Sequence, residues 1–245
     1  MSQDWWWGTP GTASGIIRAM EGLTTLQKVS VFVLPVLLAI TVHEAAHGWM
    51  ANRLGDATAK MLGRVTLNPL RHIDPVGTVL VPLLTMLTGF VFGWAKPVPV
   101  NWRQLNHPRR DMALVALAGP MANLIMAVIW ALLIQAGAFL APVSGWIATP
   151  LILMGGAGIL INTVLMVLNL MPILPLDGGR VLNSLLPGRL SLAYSKLEPY
   201  GLIIIVVLLV TGTLGAILSP AANFVFGLLP LPKDQIQLLI RFLLY

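Results

Sequence analysis

Residues 29–50 read VSVFVLPVLLAITVHEAAHGWM, an apolar run in which Glu44 is the only charged residue. The run reaches the ~20 residues that a helix needs to cross a bilayer. Ionisable groups inside such a span are costly and call for a pairing or functional reason. On a helix, His43 and His47 stand one turn apart on one face with Glu44 beside them, the His-Glu-x-x-His pattern of zinc hydrolases. The imidazoles suit a metal, and the carboxylate suits a base acting on water there. Chance placement would produce this spacing in on the order of one chain in a thousand of this composition. Buried without a metal, the three polar groups would each need another partner.

Composition sets the class around that run. The chain is 57% hydrophobic and 10% charged, far from soluble averages, and contains several runs of spanning length. The longest polar stretches, 51–75 and 95–110, read as loops, so no soluble domain of useful size is left over. The expected fold is an all-α polytopic membrane protein, one domain over 1–245. It would be a helical bundle with an intramembrane zinc site and a small re-entrant or β-like segment. A net charge of +6 could suggest nucleic acid, but the positive residues are scattered among connecting loops, as orientation in a membrane requires. With no cysteine, the chain has no disulfide, thiolate metal site or cysteine nucleophile, and any zinc must use His, Asp or Glu. The N-terminus lacks the basic start and cleavage site of a secretory signal and carries Asp4. Trp5, Trp6 and Trp7 suit an interfacial anchor.

Spans are expected at 29–50, with a kink at Pro35, and at 111–140, 151–171 and 201–219. The tail beyond is broken by Pro220, Pro230 and Pro232 and closes in an amphipathic KDQIQLLIRFLLY. The 141–150 loop has no Lys or Arg, whereas 51–75, 95–110 and 172–200 are basic. The positive-inside tendency therefore places 141–150 outside and the other three in the cytoplasm. An apolar stretch at 76–94 between two cytoplasmic loops would have to dip into the membrane and return, which is allowed only where its backbone is shielded.

Two His leave a catalytic zinc short of a third protein ligand. Among the acidic residues Asp177 stands out, directly after the 151–171 span in Pro-Leu-Asp-Gly-Gly. Alone it reads as an Asp-Gly turn; beside an incomplete His pair it is the economical ligand. Asn162 and Asn169 share a helix face, with Gly158 one turn before Asn162. Asn162 reads as packing, and Asn169 could also hold a substrate carbonyl. Ala118, Gly119 and Ala122 allow a close helix approach, Asn123 reads as a packing hydrogen bond, and His72 as a loop residue.

HisGluAlaAlaHis at 43–47, AlaGlyProMetAlaAsn at 118–123 and AsnLeuMetProIleLeuProLeuAspGlyGlyArg at 169–180 resemble the three signatures of the site-2 protease family of intramembrane zinc metalloproteases. NPLRHIDPVG and GWAKPVPVN resemble its compact bacterial and archaeal branch, which lacks a PDZ domain. The match covers most of 29–190 in family order; the tail after about 195 carries no family signature. The resemblance implies one zinc held by His43, His47 and Asp177, catalysis by Glu44, and Asn169 lining the site. It also implies transmembrane protein substrates and a prokaryotic cell membrane; the basic loops and the place of His47 and Asp177 near span ends have water entering from the cytoplasmic side.

Two other classes compete. Intramembrane His and Glu also build ion pathways in transporters and channels, and a non-catalytic protein could use the same pocket to bind helices. The second would be expected to lose Glu44 first. One further motif concerns substrate. In Gly93–Val100, GWAKPVPV, Pro97 and Pro99 remove N–H donors from one edge of a strand. The other edge, with Lys96, Val98 and Val100, is expected to pair with an unwound substrate, which makes Val98 a candidate substrate-binding residue.

Overall fold

A computed structural model describes residues 24–72, 74 and 96–244. Its first helix, α1 (Thr25–Arg53), carries the decisive run and continues through Pro35. At about 1.5 Å per residue it is longer than the ~30 Å hydrocarbon core. A short α2 (Thr58–Met61) and a 3-10 turn (Pro69–Arg71), whose start is capped by Asn68 accepting from the Leu70 N–H, follow in the polar segment. The long helices α3 (Pro108–Leu140) and α4 (Gly145–Asn169) come next. Then come α5 (Asp177–Leu185), α6 (Gly188–Ser195), α7 (Gly201–Val210), α8 (Thr213–Leu228) and α9 (Lys233–Leu244). No strand occurs among the described residues, so the all-α expectation stands and the β-like alternative finds no ladder there.

Among the described residues, four helical stretches are long and apolar enough to cross a membrane: Leu26–Arg53, Pro108–Leu140, Gly145–Asn169 and Gly188–Val210. The fourth corrects the expected span at 201–219. Its apolar run stops at Val210, because Gly212 takes the left-handed conformation (φ 73°) and donates its N–H to the Leu209 carbonyl. The Thr211 hydroxyl closes the carbonyls of Val207 and Leu208, so a glycine C-cap ends α7 and α8 begins afresh. The loop expected at 141–150 is a turn over 141–144, with α4 already helical from Gly145. The Trp5–Trp7 anchor and the dip at 76–94 lie outside the described residues.

The chain folds as two compact units. Of the described residues, one comprises 24–36, 124–164 and 218–244. Within it, glycines of α4 receive bulky side chains of α3: Gly158 lies against the Trp130 ring and Gly155 against Ile134. Asn162 is buried and donates to the Gly158 carbonyl of its own helix. The amphipathic tail becomes α9, which buries Ile236, Leu239 and Leu243, and Leu239 and Leu243 pack on Gly156.

Of the described residues, the second unit comprises 37–72, 74, 96–123 and 165–217. Ala51, Leu105 and Val115 form a small apolar core there. The start of α3 follows from HisProArgArgAsp: proline stands in the first turn, where its missing N–H costs nothing, and Asp111 accepts from the His107 N–H at 2.7 Å. His43, Glu44, His47, Asn123 and Asp177 all belong to this unit.

Candidate metal centre

In α1 the side chains of His43 and His47 point the same way, one turn apart, and both are buried. Each ring has its Nδ1 committed. His43 Nδ1 lies 2.5 Å from Asn123 Oδ1, and His47 Nδ1 lies 2.8 Å from the Val115 carbonyl. A carbonyl only accepts, so His47 carries its proton on Nδ1. The Asn123 amide NH2 faces the Ala39 carbonyl at 3.3 Å, which leaves its oxygen for His43. When the rings are neutral, each presents a bare lone pair on Nε2.

Those two Nε2 atoms are 3.0 Å apart, and Asp177 Oδ2 lies 3.3 Å from each. Oδ2 is sealed from solvent and satisfies no hydrogen bond. Three lone-pair acceptors thus converge in an apolar setting, an arrangement that repels unless a cation sits among them. Tetrahedral zinc with bonds of about 2.0–2.1 Å separates its ligands by roughly 3.3–3.4 Å, close to the observed triangle. The donor set fits the ion.

Asp177 is placed by the two glycines after it. It opens α5, and a Cβ on Gly178 or Gly179 would run into the chain at Leu170–Leu174. The close approach of α5 to that segment, which holds a cis Leu174–Pro175 bond, needs both positions bare. Gly119 plays the matching part on α3: a Cβ there would occupy the space of both imidazoles. Val115, Gly119 and Asn123 recur every fourth residue, so one face of α3 supplies an acceptor, a gap and an acceptor. Gly119 and Asn123 were readable only as packing positions, and Val115 carried no signal, because a carbonyl's role depends on the helix it faces.

Glu44 is half-buried, and its Oε2 accepts the main-chain N–H of Val98 at 2.8 Å. This corrects the pairing edge expected at 96–100. Val98 donates to Glu44, and the Lys96 N–H donates to the His72 carbonyl at 2.9 Å. Two of the three donors meant for a substrate are spent inside the chain. Asn169 ends α4 and its side-chain NH2 donates to the Leu165 carbonyl at 3.0 Å. His72 is buried in the loop, its Nε2 3.1 Å from the Thr66 carbonyl, and stands apart from the cluster as expected.

Apolar helices of spanning length and, among the described residues, a buried group of ligating atoms that could hold a metal ion define the class, an integral membrane protein with a candidate metal site. Residues 31–154 match the model of peptidase family M50, and the chain belongs to that family of metallopeptidases. The chain is 40% identical over 192 residues to the protein named "Putative zinc metalloprotease YwhC" of Bacillus subtilis, covering 78% of this chain and 85% of the relative. It is 32% identical over 201 residues to "Putative zinc metalloprotease Rip2" of Mycolicibacterium smegmatis, covering 80% and 74%. The Mycobacterium tuberculosis protein of the same name is 28% identical over 215 residues, covering 86% and 79%. No solved structure matches the chain. Asp177 lies beyond the matched stretch 31–154, so its place in the triad rests on the geometry.

Proposed function

We propose that this chain is an intramembrane endopeptidase that hydrolyses peptide bonds of transmembrane protein substrates with one zinc per chain. The observation that carries the reading is the convergence of His43 Nε2, His47 Nε2 and Asp177 Oδ2 within 3.0–3.3 Å of one another. Zinc bound there supplies Lewis acidity, which acidifies water and polarises a carbonyl.

The chain's own groups do the rest. Asn123 and Val115 hold the two rings in the tautomer that aims Nε2 inward. Glu44, next to His43 and half-buried, takes the proton of the attacking water and returns it to the leaving amine. Asn169, on the last turn of α4, is assigned to the substrate backbone. A helical carbonyl is hydrogen-bonded and shielded, so the substrate must unwind locally before attack. His47 and Asp177 lie toward the ends of their segments, and the basic loops put that side in the cytoplasm, from which water enters.

Glu44→Gln removes the base and keeps both imidazoles. The expected result is normal zinc content with cleavage of a single-span membrane peptide reduced at least about hundredfold. Substantial cleavage by this variant removes Glu44 from the role. Zinc-dependent transport by a variant unable to cut would favour an ion pathway instead.

A further inference from the structure

The segment 96–101 is fastened to α1 and the chain just after it at three points. The Val98 N–H reaches Glu44 Oε2 at 2.8 Å. One turn along α1, Gly48 leaves a notch that seats the buried Val98 side chain: a Cβ there would lie 3.1 Å from Val98 Cγ1, 3.0 Å from Val65 Cγ2 and 3.2 Å from Ala59 Cβ. Beyond the end of α1, the Asn101 N–H donates to Asp56 Oδ2 at 2.6 Å, and Asp56 is fully buried. The far end is held by Lys96 on the His72 carbonyl. Pro97 and Pro99 have no N–H, so Val98 is the one donor between them, and it is spent on the carboxylate.

We propose that the Val98 main-chain N–H is the positioning donor of Glu44. It rests on the reading of Glu44 as the base. A glutamate on a helix has three rotatable bonds, and ordering it costs entropy at each turnover unless something fixes it beforehand. The Val98 N–H fixes Oε2 by a charge-assisted hydrogen bond and leaves Oε1 to face the reacting water. Being a main-chain group on a strap anchored at Gly48 and Asp56, it cannot swing away as a side chain would. The segment's role thereby moves from pairing with substrate to aligning the base.

The flanking prolines make the contact measurable, because residues 97–99 contain one exchangeable amide. In hydrogen–deuterium exchange of the full-length zinc-loaded protein, the Val98 amide should exchange at least about tenfold faster in Glu44→Ala than in the parent. Equal rates would overturn the proposal whether or not any substrate is cut. For function, Val98 is replaced by its α-hydroxy analogue, which keeps the side chain and loses the N–H. With a designed single-span peptide broken at its centre by Gly-Pro, kcat should fall about ten- to hundredfold while KM and zinc content stay within about twofold. A loss confined to KM would restore the pairing role, and a rise in kcat would make the segment a lid; either overturns the assignment. An inactive Glu44→Gln beside an unaffected hydroxy analogue sinks this inference alone. Cleavage by Glu44→Gln sinks the reading beneath it.

Discussion

Two regions use the same device to different ends. In the unit holding 124–164, Gly158 makes room for the Trp130 ring; in the unit holding 37–123, Gly119 makes room for the His43 and His47 rings. In both, a missing Cβ lets a bulky ring press against a helix backbone. The difference lies in the ring nitrogens. Trp130 Nε1 is sealed without a hydrogen-bond partner, so that contact is packing with one unsatisfied donor. The imidazoles have their Nδ1 atoms tied and their Nε2 atoms turned toward a third acceptor. Space decides where a ring can go; the partner of its first nitrogen decides whether the second can do chemistry.

Gly119→Ala should break the comparison most visibly. It puts a methyl where the imidazoles lie, and should lower zinc affinity more than about hundredfold with cleavage lost alongside. Near-normal zinc content would show that the rings have room to retreat. Asn123→Ala leaves the space and removes the tautomer control on His43. Zinc affinity should fall about ten- to hundredfold, read by competition with a chelator of known strength. An unchanged affinity would reduce Asn123 to packing. At Gly158 the same added methyl should cost about 1–3 kcal/mol of stability against Trp130 and leave zinc content alone. Trp130→Phe should change stability least, by about 1 kcal/mol or less, since the lost ring volume is offset by removing a buried unpaired N–H.

The sequence made much of this legible, and its limits are physical. The His pair is local: a spacing of four on a helix places two rings together whatever the rest does. Asp177 was reachable because zinc needs a third ligand and the chain has few acids. Its neighbourhood was less so. AspGlyGly reads as a turn, yet it starts α5, because the glycines are wanted for close approach to Leu170–Leu174 rather than for turning. The stripe Val115, Gly119 and Asn123 shows its purpose only once α1 lies against it. The span at 201–219 failed for a local reason that ThrGlyThr at 211–213 did display, a C-cap inside an apolar run. The strap at 96–101 was read correctly as one with few donors, but its surviving donors face the protein, and periodicity alone does not choose between the two edges.

The claim on which the account stands is that His43, His47 and Asp177 converge to hold one metal ion. It is tested most directly by metal analysis of purified Asp177→Ala beside the parent protein. The parent should hold about one zinc per chain and the variant should bind it at least about hundredfold more weakly, with the helical content of the two unchanged. Full zinc occupancy in Asp177→Ala would contradict it and hand the third position to another group.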